Sequence, residues 1–226
     1  MTWVVKLITL LRRFLRKLLL KYYPFFLGPE VPKETYRYIE KFLRNFGVHP
    51  EVYYALKVCS GLGLDLGCGG SKTHPDVIGI DLIPRGSVGK TGGQRGVVSQ
   101  ADIAADVTFL PIRDNSIDYI IARHILEHLR DCVLALNEWV RVLKPSGKII
   151  LICPDDEKLD TIFLDPTHKH VFTKDSLRRL VELLGTLSII EIGDAVPGWS
   201  FYIIASKIFQ VKTPDSKISE KDNKEK

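Results

Sequence analysis

From Leu62 to Ser71 the chain reads Leu-Gly-Leu-Asp-Leu-Gly-Cys-Gly-Gly-Ser, an apolar run that breaks into a turn of small residues. Small residues let the backbone approach a ligand closely and present amide N–H groups to it. Two familiar nucleotide loops are excluded, each by one residue. A G-x-G-x-x-G fingerprint needs glycine where Lys72 stands, and a phosphate loop ending in Gly89-Lys90-Thr91 needs glycine where Pro84 stands. Asp81 ends the next apolar run, Val77 to Leu82, and an acid at that strand end is placed to accept both hydroxyls of a ribose.

A second group of reactive side chains follows in Arg123-His124-Ile125-Leu126-Glu127-His128. If a helix begins here, His124, Glu127 and His128 share one face, a spacing that also suits a metal ion. Three ligands on one helix with no fourth partner are a weak signal, and no metal is assigned. His124, emerging at the carboxyl end of the fourth apolar run, is a candidate general base. His168 and His170, in the segment from Leu164 to Thr173, are the others, and Asp165 is placed to orient one of them. The same segment also reads as an Asp-Pro-Thr turn with Thr173 as a helix N-cap, a device with no chemistry in it.

Positioning these groups requires strands and helices in alternation. Short apolar runs LGLDLG, VIGIDL, a stretch around Asp102 to Ala105, IDYIIA and KIILIC are separated by helical stretches, among them Leu129 to Leu143 and Lys174 to Leu184. That alternation predicts a mostly parallel sheet covered on both faces. With 226 residues, 45% hydrophobic and 26% charged, the chain has the composition of a globular protein with one domain and appendages. Four scattered cysteines without a C-x-x-C pair point to a reducing compartment rather than a disulfide framework.

In this order and spacing LDLGCGG, GIDL, ADIAADVTFLPIRDNSIDYI, ARHILEHLRD and RVLKPSGKIILICPD resemble the successive motifs of class I S-adenosylmethionine-dependent methyltransferases, the type 11 group in particular, over residues 58–206. The resemblance implies an α/β fold, a Rossmann-like sandwich with a mostly parallel seven-stranded sheet and helices on both faces, and S-adenosyl-L-methionine as cofactor. By it Asp65, Gly67, Cys68 and Gly69 match the cofactor loop, and Asp81 with Leu82 matches the strand end that holds the ribose. Asp106 matches the acid near the adenine amine, with Asp102 as the competing candidate. Ser71 stands where the third glycine is usual. The loop from Pro84 to Gly96 is longer than the motifs require and is expected to form a mobile edge of the cleft.

The implied activity is methyl transfer, with O-methylation of a small-molecule or lipid-linked acceptor preferred. Ala122-Arg123-His124 stands where adenine and glutamine methylation would place an Asn-Pro-Pro-Tyr-like motif, so no nucleic-acid partner is expected. A non-catalytic cofactor-binding module of the same fold and an NAD(P)-dependent oxidoreductase are the alternatives, the second disfavoured by Lys72.

Residues 1–27 are expected to form a basic amphipathic helix. Lys6, Arg12, Arg13, Arg16, Lys17 and Lys21 fall opposite an apolar arc that runs from Val4 to Tyr22, and these six exceed the net charge of +5 of the entire chain. Such a helix suits an anionic membrane surface and a cytoplasmic protein peripheral to it. A helical connector over 28–57 and a charged, disordered tail over 207–226 complete the expected organisation.

Overall fold

The computed structural model describes His49, residues 51–90 and residues 94–208; the arm at 1–27, most of the 28–57 connector and nearly all of the 207–226 tail lie outside the described residues. Among the described residues no helix is long and apolar enough to cross a membrane. Seven strands form one sheet: β1 (Gly63–Leu66), β2 (Ile78–Asp81), β3 (Ile103–Ala104), β4 (Ile117–Arg123), β5 (Leu143–Pro154), β6 (Leu187–Val196) and β7 (Ser200–Lys207). Their order is β3-β2-β1-β4-β5-β7-β6, with β1 to β5 parallel and β7 antiparallel to both neighbours. After β1 the chain builds outward through β2 and β3, then returns to place β4 on the other side. The strand order reverses between β1 and β4, and the carboxyl ends of these two strands open the crevice where such sheets bind ligands.

The runs predicted as strands are buried on both faces, each face carrying its own core. Leu64, Leu66, Ile120 and Leu151 join Leu136 and Trp139 in one core, while Ile121, Ile150, Ile152 and Tyr202 form the other. Helix α2 (Cys132–Val142) fills the first core with Trp139, whose indole N–H donates to the Val107 carbonyl at 2.9 Å. It starts at Cys132 rather than Leu129 because the Asp131 carboxylate caps it, accepting from the Leu134 amide at 2.8 Å. A four-residue turn, α3 (Thr161–Leu164), follows β5, and α4 (Lys174–Leu184) runs between a capping box of Thr173 with Ser176 and a left-handed Gly185.

The domain's packing begins earlier than residue 58. Helix α1 (Glu51–Leu56), from the end of the expected connector, buries Val52 and places Ala55 in the second core. Tyr54 stacks on Tyr202 with ring centroids 4.4 Å apart, and Lys57 pairs with Glu191 at 2.6 Å.

Of the segment expected to edge the cleft, the described residues 84–90 and 94–96 take part in backbone hydrogen bonds with the chain that follows them. Gly86 and Gly89 donate to the Ser99 and Val97 carbonyls, Val88 bridges Val98, and the Gln100 amide holds the Gly69 carbonyl at 2.8 Å. The segment is thereby fastened to the glycine turn.

Candidate functional site

The glycine turn ends β1 at the crevice. Gly67 and Gly69 have φ of 65° and 50°, and a Cβ on them would lie 2.7 Å from the Ile125 side chain and 2.3 Å from that of Gln94. Left-handed backbone and close approach together require glycine at both positions. The amides do not face a ligand as expected, however. Gly67 and Cys68 donate to the Ile80 carbonyl at 2.8 and 3.2 Å, and Gly69 donates to Asp81 Oδ2 at 2.9 Å. These three donors brace the turn against β2, so the turn meets a ligand with its shape and with the Asp81 carboxylate.

Asp81 keeps both oxygens tied to backbone, the other accepting from the Ile83 amide at 2.9 Å, and each oxygen retains acceptor capacity for a hydroxyl. Leu82, beside it, is 70% exposed and offers an apolar surface at the same strand end. Asp65 lies beneath the turn, accepting from the Thr73 amide at 2.5 Å; burial pushes its carboxyl up and the Arg123 charge pulls back. Cys68 points its sulfur under Gly79, and burial together with the charges of Asp65 and Asp81 pushes the thiol up to about 12. Asp65 and Cys68 therefore shape the turn from within.

The two candidates for the adenine amine separate by height along the sheet. Asp102 precedes β3 and is engaged on both oxygens, by Lys72 at 2.8 Å and the Gly79 amide at 2.9 Å on one and by Arg85 on the other. Asp106 follows β3, beyond the level where Ala104 pairs with Asp81, and is exposed at the functional edge. Its Oδ1 accepts from the Thr108 amide and hydroxyl, and among the described residues its Oδ2 makes no hydrogen bond.

No helix begins at His124. Its φ is 52°, and only a short 3-10 turn, Leu126–His128, follows. The left-handed backbone turns the imidazole between two buried acids: Nε2 lies 2.7 Å from Glu51 Oε1 and Nδ1 lies 3.3 Å from Glu127 Oε1. Burial disfavours charge on this ring, but the two carboxylates outweigh it and raise His124 to about 10. With both ring nitrogens facing carboxylate oxygens, His124 has no lone pair to offer as a base. Glu51 also accepts from the Ser200 hydroxyl at 2.6 Å and lies 3.9 Å from Arg123. Its participation was not legible in the sequence, since it sits before the first strand in a stretch without a motif. The charge-bearing Glu51 in a helix that otherwise buries Val52 and Ala55 is the one available signal.

His168 and His170 do not act together. His170 Nε2 lies 3.2 Å from the Arg130 carbonyl, outside the histidine group. His168 packs edge-on against His128 with centroids 4.6 Å apart, and burial lowers its proton affinity. The structure thus gathers Glu51, His124, Glu127, His128 and His168 at the carboxyl end of β4. Ile125 links that group to Gly67, and Arg123 donates to the Ser71 carbonyl of the turn at 3.3 Å.

Residues 64–151 match the family described as a methyltransferase domain. An uncharacterised 37.1 kDa protein in a transposon of Streptomyces fradiae is 30% identical over 129 residues, which cover 52% of this chain and 37% of that protein; the chain thus spans little more than a third of this relative. The fold is similar to that of an S-adenosylmethionine-dependent methyltransferase from Archaeoglobus fulgidus, at 19% identity and a TM-score of 0.52, covering 78% of this chain and 95% of that one. It is also similar to one from Methanosarcina mazei, at 19% identity and a TM-score of 0.51, covering 70% and 98%.

Proposed function

We propose that this domain, which matches the methyltransferase family model over residues 64–151, is a class I methyltransferase of the type 11 group and moves a methyl group from S-adenosyl-L-methionine to an oxygen of a small-molecule or lipid-linked acceptor. The observation that carries the cofactor part is the pair of Gly69 and Asp81, in which the turn that a side chain would fill is fastened to the acid beside it. The residues present fit the cofactor chemically: Asp81 can accept two ribose hydroxyls, the free Oδ2 of Asp106 can accept from the adenine amine, and exposed Leu82 and Phe109 offer apolar surface to a ring. When bound, the cofactor supplies a methyl group already activated on a sulfonium.

The chain's task is then to hold the acceptor in line and exclude water, which supplies most of the rate in such a transfer. An amphiphilic acceptor is favoured by the rim beyond β5. There an open depression of about 590 Å³ is lined by Leu159, Ile162 and Val171 together with charged Asp156, Glu157, Lys158 and Asp160, and Phe163 nearby in sequence is 84% exposed. The basic amphipathic helix expected over residues 1–27 favours a cytoplasmic protein meeting that acceptor at an anionic membrane surface. Of the three histidines considered as bases, His124 has both ring nitrogens on carboxylates and His170 contacts the Arg130 carbonyl outside the group. Calorimetric titration of the whole chain with S-adenosylmethionine, S-adenosylhomocysteine and NADH tests the reading. Binding of the first two and not the third is expected, and binding of NADH alone would overturn it.

A further inference from the structure

We propose that Glu127, His128 and His168 form a binding site for one divalent transition-metal ion. One ligand atom from each lies within 4.8 Å of the others. An ion bonded at about 2.0–2.2 Å in tetrahedral geometry holds its ligand atoms roughly 3.3–3.6 Å apart, so the three side chains close by up to about 1 Å around it. One carboxylate with two imidazoles is the donor set of zinc and its first-row neighbours, and it is too rich in nitrogen for magnesium or calcium.

Evidence for a ligand comes from more than spacing. Glu127 is 1% exposed, yet neither of its oxygens has a hydrogen-bond partner, and its ion pair with His124 across 3.3 Å lies outside hydrogen-bond geometry. His168 Nδ1 is buried without a partner as well. Of the six buried side-chain polar atoms left unpartnered among the described residues, three belong to this cluster. Buried polar atoms are nearly always satisfied, so such a concentration points to a further ligand beside the His124 ring that Glu127 already faces.

The ring of His128 is also prepared as a ligand. The Thr167 hydroxyl has a single proton, which it donates to Asp165 Oδ1 at 2.6 Å. Its contact with His128 Nδ1 at 3.1 Å must therefore run from the imidazole N–H to the hydroxyl oxygen. That fixes the lone pair of the neutral ring on Nε2, the buttressing that metal-bound histidines commonly show. The distance between the two contributing segments is set by backbone: the Glu127 carbonyl accepts from the Lys169 and His170 amides at 2.7 and 3.1 Å. An ion held by three side chains keeps a position for an acceptor oxygen. That role rests on the methyl-transfer reading, whereas the site itself does not.

The full chain, stripped with a chelator, should bind one Co(II) with visible d–d absorption and one Zn(II) by calorimetry, and should show no saturable Mg(II) binding. His168→Ala and Glu127→Gln should weaken zinc on the order of a hundredfold, and Thr167→Val by roughly tenfold. His74→Ala, on the surface away from the cluster, should leave zinc affinity unchanged. If Glu127→Gln fails to fold by circular dichroism, the loop variant His168→Ala decides. Wild-type protein that binds no cobalt, or a folded His168→Ala variant that binds zinc as tightly as wild type, overturns the site. Cofactor affinity is titrated separately, so failure to bind S-adenosylmethionine would count against the methyltransferase reading and leave the metal result standing.

Discussion

Glu51 Oε1 and His124 Nε2 face each other across 2.7 Å, joining the helix before the first strand to the carboxyl end of the fourth. Glu51 is fully buried, and its carboxyl is held low: burial pushes it up, but the charge and hydrogen bonds of His124 and His49 outweigh that. Removing one partner of a buried pair leaves the other uncompensated, so Glu51→Ala should lower unfolding free energy by about 3 kcal/mol in denaturant titrations. Because the folded value is depressed, Glu51's contribution is present above its ordinary pKa of 4.5 and is lost as acid brings the pH down through the folded value. A variant whose acid unfolding curve overlays that of wild type refutes the assignment. The same contact makes residues 51–57 part of the domain, and a chain begun at residue 58 should lose its cooperative transition.

On the proposed reading Asp81 accepts the ribose hydroxyls, and it also fastens the turn through Gly69. Replacing it with alanine removes charged hydrogen bonds worth roughly 1.5–3 kcal/mol, so affinity for S-adenosylmethionine and S-adenosylhomocysteine should fall by about tenfold to a hundredfold in calorimetry. Asp106→Ala should cost less affinity. Asp102→Ala should act chiefly on stability, because its partners are Lys72, Arg85 and the Gly79 amide. Cofactor affinity more sensitive to Asp102 than to Asp106 would mean the adenine end is misplaced.

All four cysteines are pushed towards the protonated thiol, mainly by burial: Cys59 and Cys132 to about 11, Cys68 to about 12, and Cys153 well above the ordinary range. The thiolate is the reactive form, so at pH 8 a thiol near 11 is ionised about once in a thousand molecules. Ellman's reagent should therefore label the folded protein slowly and reach four equivalents only after denaturation. A thiol that reacts stoichiometrically within seconds in the folded state contradicts this.

The strands and helices were legible because each carries its own punctuation. Asp65 and Asp81 end apolar runs, and Gly185 stops the helix that Thr173 starts. The same local signals point to the glycine turn and its acid. What they do not carry is long-range pairing. His124 looked like a free base at a helix start, yet a left-handed backbone turns it onto Glu51, 73 residues earlier in the chain. Glu127 and His128 were visible as a pair, but His168 joins them only through tertiary packing, forty residues later than His128. The direction of the amides at Gly67 and Cys68 was equally invisible, since it is set by which carbonyl of β2 lies beneath them.

The basic arm is a prediction from charge sign and helical arc together. An apolar arc alone is explained by burial against the domain, but a solvated opposite face usually mixes charges, whereas Lys6, Arg12, Arg13, Arg16, Lys17 and Lys21 are accompanied by no acid before Glu30. An anionic bilayer accounts for both faces, with roughly 1 kcal/mol for each basic residue near the surface and shallow insertion of the apolar face. The full chain should sediment with vesicles containing phosphatidylserine and stay in the supernatant with purely zwitterionic ones, and raised salt should release part of it. Deleting residues 1–27 should abolish sedimentation while leaving S-adenosylmethionine affinity unchanged, since α1 and the glycine turn remain in place. Should the shortened chain instead precipitate or unfold without cooperativity, the apolar arc is covered by the domain itself, and the membrane surface is withdrawn as a partner.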